Sequence, residues 1–345
     1  MTRPGRAAGL VLAALLISAG LYGLWWERAA NASRAQLERW IEARRQAGFE
    51  ISHQGITTAG FPLKLELAVA NPRLDWAGAH PFSWQGPEKL MAHITAQAPG
   101  LLRMQAEGAH VIEAGGKKIS LTLAKADGSL DMAMQGFAAL HLALEGVEVN
   151  GAYAQPLRLP RLTLDAARRF DVAADDLQTP SASLTLFAEQ ISLPPDLKVS
   201  LGESIAQLNM TLALFGPVPE NLKADSLKVW SEAGGILDLK ALHLEWGPLL
   251  LDGDGTLALD RALMPIAPFG LKVRGAAEAL DALAERGLIE PANNMVVKLA
   301  LAVLAKEPPD SETGSMRLPL TLQGQDLFVG PARLARLPAP PWAEE

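Results

Sequence analysis

The longest apolar stretch of the sequence covers residues 7–26, which contain no charged side chain, and it follows Arg3 and Arg6. At about 1.5 Å of rise per residue, a helix of this length spans roughly the 30 Å hydrocarbon core of a bilayer. The pattern therefore predicts a transmembrane anchor. Aromatic rings prefer the depth of the lipid headgroups. Three of them near the end of the stretch are assigned to the membrane interface: Tyr22, Trp25 and Trp26.

A cleaved secretory signal is the alternative interpretation, because small residues such as Ala30 and Ala32 follow the stretch. Signals usually have an apolar centre of roughly 7 to 15 residues, and this one is longer, which favours an anchor. Arginines after the stretch outnumber those before it, so a count of positive charges alone would not export the body. Large domains are translocated largely regardless of charge. We therefore expect a single-pass membrane protein, with residues 1–30 as a short cytoplasmic tail and anchor and the body exported.

Residues 31–48 have the spacing of an amphipathic helix. Ser33 and Gln36 form a capping box at its start. The apolar positions on one helical face are Leu37, Trp40 and Ile41. Two interpretations stay open, since this face either packs on the body as a stalk or lies on the bilayer beside the anchor.

From residue 49 onward the apolar positions recur with a period of two, which is typical of strands with one covered face. The alternation returns many times, with turn signals such as Gly115-Gly116 and Asp127-Gly128 between the segments. We predict a mainly β (α+β) fold, in which an N-terminal transmembrane helix precedes large antiparallel curved sheets with a few short helices. This body covers residues 49–337, and a proline-rich tail follows at 338–345.

Leucine and alanine dominate the predicted strands, where β-branched and aromatic residues are usual. A sheet face of flexible leucines either covers an ordinary filled core or lines a smooth apolar groove that tolerates many partners. The sequence leaves both interpretations open. The residues assigned to the hypothetical groove are Leu121, Leu123, Leu140, Leu142, Leu144, Leu237, Leu239, Leu242 and Leu244.

Helical spacing returns near the C-terminus, ahead of Gly287, a residue typical of a helix C-cap. The apolar residues with this spacing are Ala276, Leu280 and Leu283. A second helix is expected over 295–304, and residues 166–178 fit either a short helix or a loop. Prolines in the region 155–180 leave room for a boundary between two sheet layers or subdomains.

Candidate chemistry is sparse. The net charge is −7, and lysines and arginines are spread singly, which argues against nucleic acid as a partner. No cysteine is present, so disulfides and thiolate sites are excluded. None of the six histidines lies at a metal-ligand spacing from another, and His141 and His243 alternate with leucines as polar-face strand residues do. Without a nucleophile elbow, P-loop or dinucleotide motif, we predict no catalytic residue, no metal site and no cofactor.

Two short motifs each allow two interpretations. Asp252-Gly253-Asp254-Gly255 begins like a calcium-binding loop, but the later ligands are missing. Because Asp-Gly is typical of tight hairpin turns, we predict a turn that joins strands at 249–251 and 257–259. The adjacent Arg168 and Arg169 either contact a lipid headgroup or form ordinary solvated surface.

The order of these features resembles an uncharacterised bacterial family, a domain of unknown function typical of alphaproteobacteria. The residues that carry the resemblance are a single anchor, a Trp-bearing helix, and Gly55-Ile56 before Gly60-Phe61-Pro62-Leu63. The likeness covers most of the chain and ends at the strand 318–322. A weaker similarity to AsmA-like envelope proteins covers Gly234 to Leu259. It implies a protein of the bacterial inner membrane with its body in the periplasm, linked to outer-membrane homeostasis and, in the larger members, to lipid passage along an apolar groove. This chain is short for a sheet that spans the envelope.

We therefore expect an uncharacterised envelope protein whose leucine-lined groove binds or passes a lipid or another hydrophobic ligand. Its partners would be the bilayer, through residues 7–26, and a lipid or an envelope protein. The alternative is a non-enzymatic assembly or interaction factor with a filled core, in which an edge strand or the helix near Leu37 docks another envelope protein. An enzyme is the least favoured class, because no convergent set of polar residues stands out.

Overall fold

A computed structural model describes the backbone of residues 4–78, 81–173, 175–195, 201–285 and 315–343. These ranges contain nineteen strands and three α-helices, and the strand pairs with a defined register are antiparallel. The predicted mainly β, antiparallel fold is therefore confirmed. The chain divides into two compact units, residues 1–132 and residues 133–345.

The helices differ from the prediction at the N-terminus, where anchor and amphipathic helix are parts of one element. The described helices are α1 Pro4–Gln46, α2 Ala224–Glu232 and α3 Ala276–Glu285. α1 is continuous because no proline or glycine pair interrupts the residues between the two predicted segments. In the part of the chain that the structure describes, no helix has both the length and the apolar character needed to cross a membrane. The transmembrane anchor stays a prediction.

The first unit is a meander in which every long strand except the last is divided into two shorter ones. Its strands are β1 Phe49–Ser52, β2 Gly55–Ala59, β3 Lys64–Ala70, β4 Arg73–Trp76, β5 Phe82–Gln85, β6 Lys89–Thr95, β7 Ala98–Gln105, β8 Gly108–Ala114 and β9 Lys117–Ala133. Consecutive strands lie end to end in pairs: β1 pairs with β4 as β2 pairs with β3, and β5 pairs with β8 as β6 pairs with β7. The first part of β9, residues 117–123, pairs with β8, and its second part, residues 127–131, pairs with β7.

Each end-to-end pair of this unit is interrupted at the same level of the sheet. Pro72 and Pro87 lie at two of the interruptions, and proline has no amide hydrogen to donate to a strand ladder. Asn71, beside Pro72, has a φ of 45°, so the chain bends there. The amide of Gly86 still donates to the carbonyl oxygen of Pro72 over 2.8 Å, which keeps the neighbouring strands together across the bend.

The second half of α1 packs on the sheet of the first unit. Ile41 is buried together with Ile51 and Ile56, and Leu37 of the helix packs against this cluster. The amphipathic spacing predicted for this segment therefore describes a face that covers strands β1 to β3.

The second unit is an uninterrupted up-and-down meander in which each strand pairs with the next one along the chain. Its strands are β10 Gly136–Asn150, β11 Leu157–Arg168, β12 Ala182–Ser192, β13 Ser204–Phe215, β14 Ile236–Trp246, β15 Leu249–Leu259, β16 Pro265–Arg274, β17 Met316–Gln323, β18 Asp326–Val329 and β19 Ala332–Arg336. A short 3₁₀ turn follows at Pro341–Ala343.

The boundary between the units lies at residues 132 and 133, ahead of the region 155–180 in which prolines left room for one. Pro160 instead lies inside β11, a strand paired on both sides with β10 and β12. It falls opposite Gly146, whose φ of 60° is accessible to glycine at no steric cost. The prolines therefore mark a local irregularity within the sheet of the second unit.

Several local predictions are settled by the strand limits. The Gly115-Gly116 turn is confirmed between β8 and β9, and α3 confirms the helix expected before Gly287. The described residues of the range 166–178 form no helix, because β11 continues to Arg168 and irregular backbone follows. The helix expected over 295–304 lies outside the described residues.

The two Asp-Gly turns are wrong, because Asp127-Gly128 lies inside β9 and Asp252–Gly255 inside β15. In β15 the glycines are needed for close approach of a neighbouring strand rather than for a turn. A Cβ on Gly253 would lie 2.4 Å from Cδ2 of Leu271, and one on Gly255 would lie 2.3 Å from Cδ1 of Phe269. The actual turn before β15 contains Gly247 and Pro248.

Candidate functional site

The strand register of the second unit separates polar from apolar side chains onto two faces. Because side chains alternate along a strand, residues that are directly opposite across each pair share a face. One such row crosses eight strands: Leu142, Leu164, Leu186, Met210, Leu242, Gly253, Leu271 and Leu318. The rows on either side of it are also apolar. We call this surface the leucine face.

Seven of the nine leucines assigned to the groove lie on the leucine face: Leu140, Leu142, Leu144, Leu237, Leu239, Leu242 and Leu244. The spacing from Leu239 to Leu242 breaks the alternation, and the register shift in β14 absorbs the extra residue so that both leucines keep the same face. The other two, Leu121 and Leu123, belong to β9 in the first unit, where Leu123 is buried.

Two helices cover parts of the leucine face. α3 packs over β16 and β17, where Leu271 and Leu318 are buried with Leu280 of the helix. α2 places Leu227 and Trp230 against the end of β13 to β15. Trp230 is anchored there, because its indole Nε1 donates to the carbonyl oxygen of Phe215 over 2.9 Å in a buried position.

Beyond these covers, at the other end of the sheet, the leucines of β10 to β12 are only half-buried. In the row defined above, Leu142, Leu164 and Leu186 have intermediate exposure, whereas Leu271 is 8% exposed. Among the described residues, the clusters formed by α2 and α3 do not include these three leucines. The leucine face is therefore partly a filled core and partly an accessible apolar surface.

A cavity of about 400 Å³ opens at one end of this accessible part. Its floor consists of small and apolar residues of β11 to β14, including Ala166, Leu184 and Leu212, and its rim includes Glu220. Arg168 also lines it. Pockets that hold small molecules have volumes of roughly 300 to 1,000 Å³ and mostly apolar walls, so this cavity has the size and the character of a small binding site.

The two adjacent arginines are in different surroundings. Arg169 donates from Nε and Nη2 to the two carboxylate oxygens of Asp171, over 3.2 and 2.9 Å, and this ion pair raises the pKa of Arg169 and lowers that of Asp171. Arg168 follows Ala166 on the leucine face, in register with Ala182 of β12. The sequence could not distinguish the two, because the difference comes from the register of β11 against β12.

The polar face of the same sheet carries the histidines considered above. His141 Nδ1 lies 2.6 Å from Oδ1 of Asp165, and His243 Nδ1 lies 2.6 Å from Oδ1 of Asp252. The Asp252 carboxylate raises the pKa of His243 above its ordinary value. Both pairs are cross-strand neighbours, as expected for polar-face residues. Within the described ranges, no cluster of three or more side chains is arranged to hold a metal ion.

A larger cavity, of about 720 Å³, lies in the first unit and is lined by Glu50, Asp75 and Glu113 among others. Two of these carboxylates, those of Asp75 and Glu113, are engaged in ordinary ion pairs. Arg73 donates to Asp75 over 2.7 Å and holds the pKa of that carboxyl below its usual value, and Lys118 lies 3.2 Å from Glu113. Both are ion pairs of the exposed type that is common on protein surfaces, so they do not indicate a functional site.

Two of the residues assigned to a membrane interface, Tyr22 and Trp26, contact the Gly60-Phe61-Pro62 motif in the first unit. Tyr22 donates its hydroxyl to the carbonyl oxygen of Pro62, and Trp26 donates Nε1 to that of Lys64 over 3.1 Å. The rings of Trp26 and Phe61 are 5.5 Å apart, edge to face. Trp25 and Phe61 are more than half exposed. The β2–β3 turn and α1 therefore present one exposed aromatic patch.

These features define a class of protein: an antiparallel β protein of two units, the second of which has one polar face and one partly covered leucine face. Within that class, the chain belongs to the DUF2125 family, described as an uncharacterized protein conserved in bacteria, whose family model matches residues 26–338. The resemblance to an uncharacterised bacterial family is thus confirmed, and the similarity to AsmA-like proteins stays a prediction. No curated protein and no solved structure matches the chain.

Sequence reasoning missed two parts of the site. α2 was not predicted, although Leu227 and Trp230 have the i, i+3 spacing of a short helical face. The cavity beside Arg168 could not be found from the sequence, because its walls come from β11, β12 and β13 and from the segment around Val218.

Proposed function

We propose that this protein is a non-enzymatic envelope protein that binds or passes a lipid or another hydrophobic ligand along the leucine face of its second unit. The observation that carries the proposal is the half-burial of Leu142, Leu164 and Leu186 on a face whose other end is a filled core. Large accessible apolar surfaces on soluble domains mark binding sites far more often than scattered apolar residues do.

The energetics of the leucine face favour a flexible apolar ligand. Each methylene group removed from water contributes about 0.8 kcal/mol and requires no precise geometry. Leucine and methionine side chains change rotamer easily, so the rows of β10 to β14 can follow chains of different shape. The long sheet, with its rows of leucines from strand to strand, offers such a chain a continuous path.

We further propose that α1 holds the protein at the inner membrane with the body in the periplasm. The exposed aromatic patch of Trp25 and Phe61, together with Leu63 at 67% exposure, supports contact with the headgroup region. The proposed similarity to AsmA-like envelope proteins points the same way, since it implies a membrane-anchored periplasmic protein.

The test is native mass spectrometry of the full-length protein extracted from bacterial membranes, with Leu164→Asp and Leu186→Asp as variants. Their matched controls are Thr163→Asp and Thr185→Asp, which introduce the same charge in the same strands on the polar face. We expect a bound lipid of defined mass in the wild type and the controls, and its loss from both leucine variants. A folded wild-type protein free of lipid would contradict the proposal and favour the alternative of an assembly or interaction factor.

A further inference from the structure

The cavity at the end of the leucine face has a charged side chain in an otherwise apolar row. Arg168 is in register with Ala182, which faces Leu214, which in turn faces Leu237. The residues directly across the sheet from Arg168 therefore supply no anion. With a volume of about 400 Å³, the cavity lies toward the small end of the ordinary range for small-molecule sites, which suits one chain rather than two.

Arg168 also lacks a carboxylate partner on its own side of the sheet. Its Cζ lies 5.0 Å from the centre of the Phe170 ring, a cation–π contact that orients the guanidinium but does not neutralise it. Among the described residues, it makes no hydrogen bond or ion pair with an acidic side chain. Arg169, one residue later, is fully engaged by Asp171. A guanidinium without a partner presents a planar set of donors that fits a carboxylate or phosphate.

We propose that the cavity binds a single-chain amphiphile with an anionic head, which Arg168 receives while the chain lies over Leu184 and Leu212. This inference rests on the proposed function, because it names the ligand class for the same face. Charge complementarity favours an anionic head, since one unpaired cation lies at the end of an apolar floor. Glu220 is an exposed carboxylate at the rim, and its charge opposes an anionic head at this position.

The test compares the binding of oleate with that of oleyl alcohol, which has the same chain and a neutral head. The full-length protein is stripped of lipid and held in a non-ionic amphipol, and binding is measured by displacement of a fluorescent acyl probe. The variants are Arg168→Gln, its matched control Arg169→Gln, and Glu220→Gln. Circular dichroism verifies that each variant is folded.

We expect the wild type to bind oleate at least tenfold more tightly than oleyl alcohol, and Arg168→Gln to remove that difference without weakening the binding of the alcohol. Arg169→Gln should leave both affinities unchanged, and Glu220→Gln should raise the affinity for oleate. Equal affinity of the wild type for the two ligands, or an unchanged preference in Arg168→Gln, would overturn this inference and leave the proposed function standing. Failure of both ligands to bind would overturn the proposed function itself.

Discussion

Truncation of two different leucines in the same row, one variant at a time, distinguishes an accessible surface from a filled core. Leu164 and Leu271 have the same side chain and lie on the same face of the same sheet. They differ in cover, because Leu271 is 8% exposed beneath α3 and Leu164 is only half-buried. The loss of unfolding free energy in Leu164→Ala and in Leu271→Ala therefore reports how completely each leucine is covered.

The structure sets the expected magnitudes. A buried Leu→Ala change costs about 2 to 5 kcal/mol, since the lost transfer free energy is joined by the cost of a cavity. For Leu271, packed against Leu280 and Leu318, we expect about 3 kcal/mol. At Leu164 part of the side chain stays in water and no closed cavity forms, so we expect about 1 kcal/mol.

The assay is urea unfolding of the lipid-free, full-length protein, followed by circular dichroism and analysed as differences from the wild type. Leu186→Ala serves as a second position on the uncovered part of the row. If Leu164→Ala and Leu186→Ala cost as much as Leu271→Ala, the leucine face is covered along its whole length. That result would refute the reasoning behind an accessible apolar surface.

Three further predictions concern stability. Trp230→Phe removes the buried hydrogen bond to the Phe215 carbonyl oxygen, and we expect a loss of about 1 to 3 kcal/mol in urea unfolding; a loss below about 0.5 kcal/mol would show that the carbonyl finds another donor. Gly253→Ala places a methyl group 2.4 Å from Leu271 Cδ2 and should cost about 1 to 3 kcal/mol, whereas Gly270→Ala, with its nearest neighbour 3.9 Å away, should cost less than about 1 kcal/mol. His243 has its pKa raised above 6.5 by Asp252, so its stabilisation is present below pH 6.5 and lost as the pH rises through the raised pKa. The wild type should therefore exceed His243→Gln in unfolding free energy by roughly 0.2 to 1 kcal/mol near pH 6, and the two should converge near pH 9. A difference that does not change with pH would contradict this assignment.

The strand pattern was predictable because each strand of the second unit has one wet and one apolar face, so its periodicity is visible within a single segment. The leucines at 140, 142 and 144 and those at 237, 239, 242 and 244 could thus be grouped before their register was known. What could not be predicted was the cover of each row. Leu164 and Leu271 have equivalent sequence settings, and only the position of α3 makes one of them core.

Glycine and proline misled the sequence analysis where they serve packing rather than turns. Gly253 and Gly255 follow aspartates, as in a hairpin turn, yet their role is to admit the side chains of Leu271 and Phe269 from the neighbouring strand. Pro160 suggested a boundary but lies opposite a glycine within a paired strand. In both cases the role of the residue depends on its partner strand, which is known only once the register is seen.

In the proposed complex the leucines bind the apolar chain of the ligand, and the unpaired Arg168 binds its anionic head. The chain contributes through apolar area, which is nondirectional, so affinity should increase by at most about 0.8 kcal/mol for each added methylene group until the cavity is filled. The head contributes through a directional, charge-assisted contact that exists at one position only, beside Arg168. A series of saturated fatty acids should therefore lose the same factor of affinity in Arg168→Gln at every chain length, since the two contributions act at separate places. A factor that varies with chain length would show that the two contributions are coupled, and an unchanged affinity in Arg168→Gln at every chain length would show that the arginine and the leucines do not share one ligand.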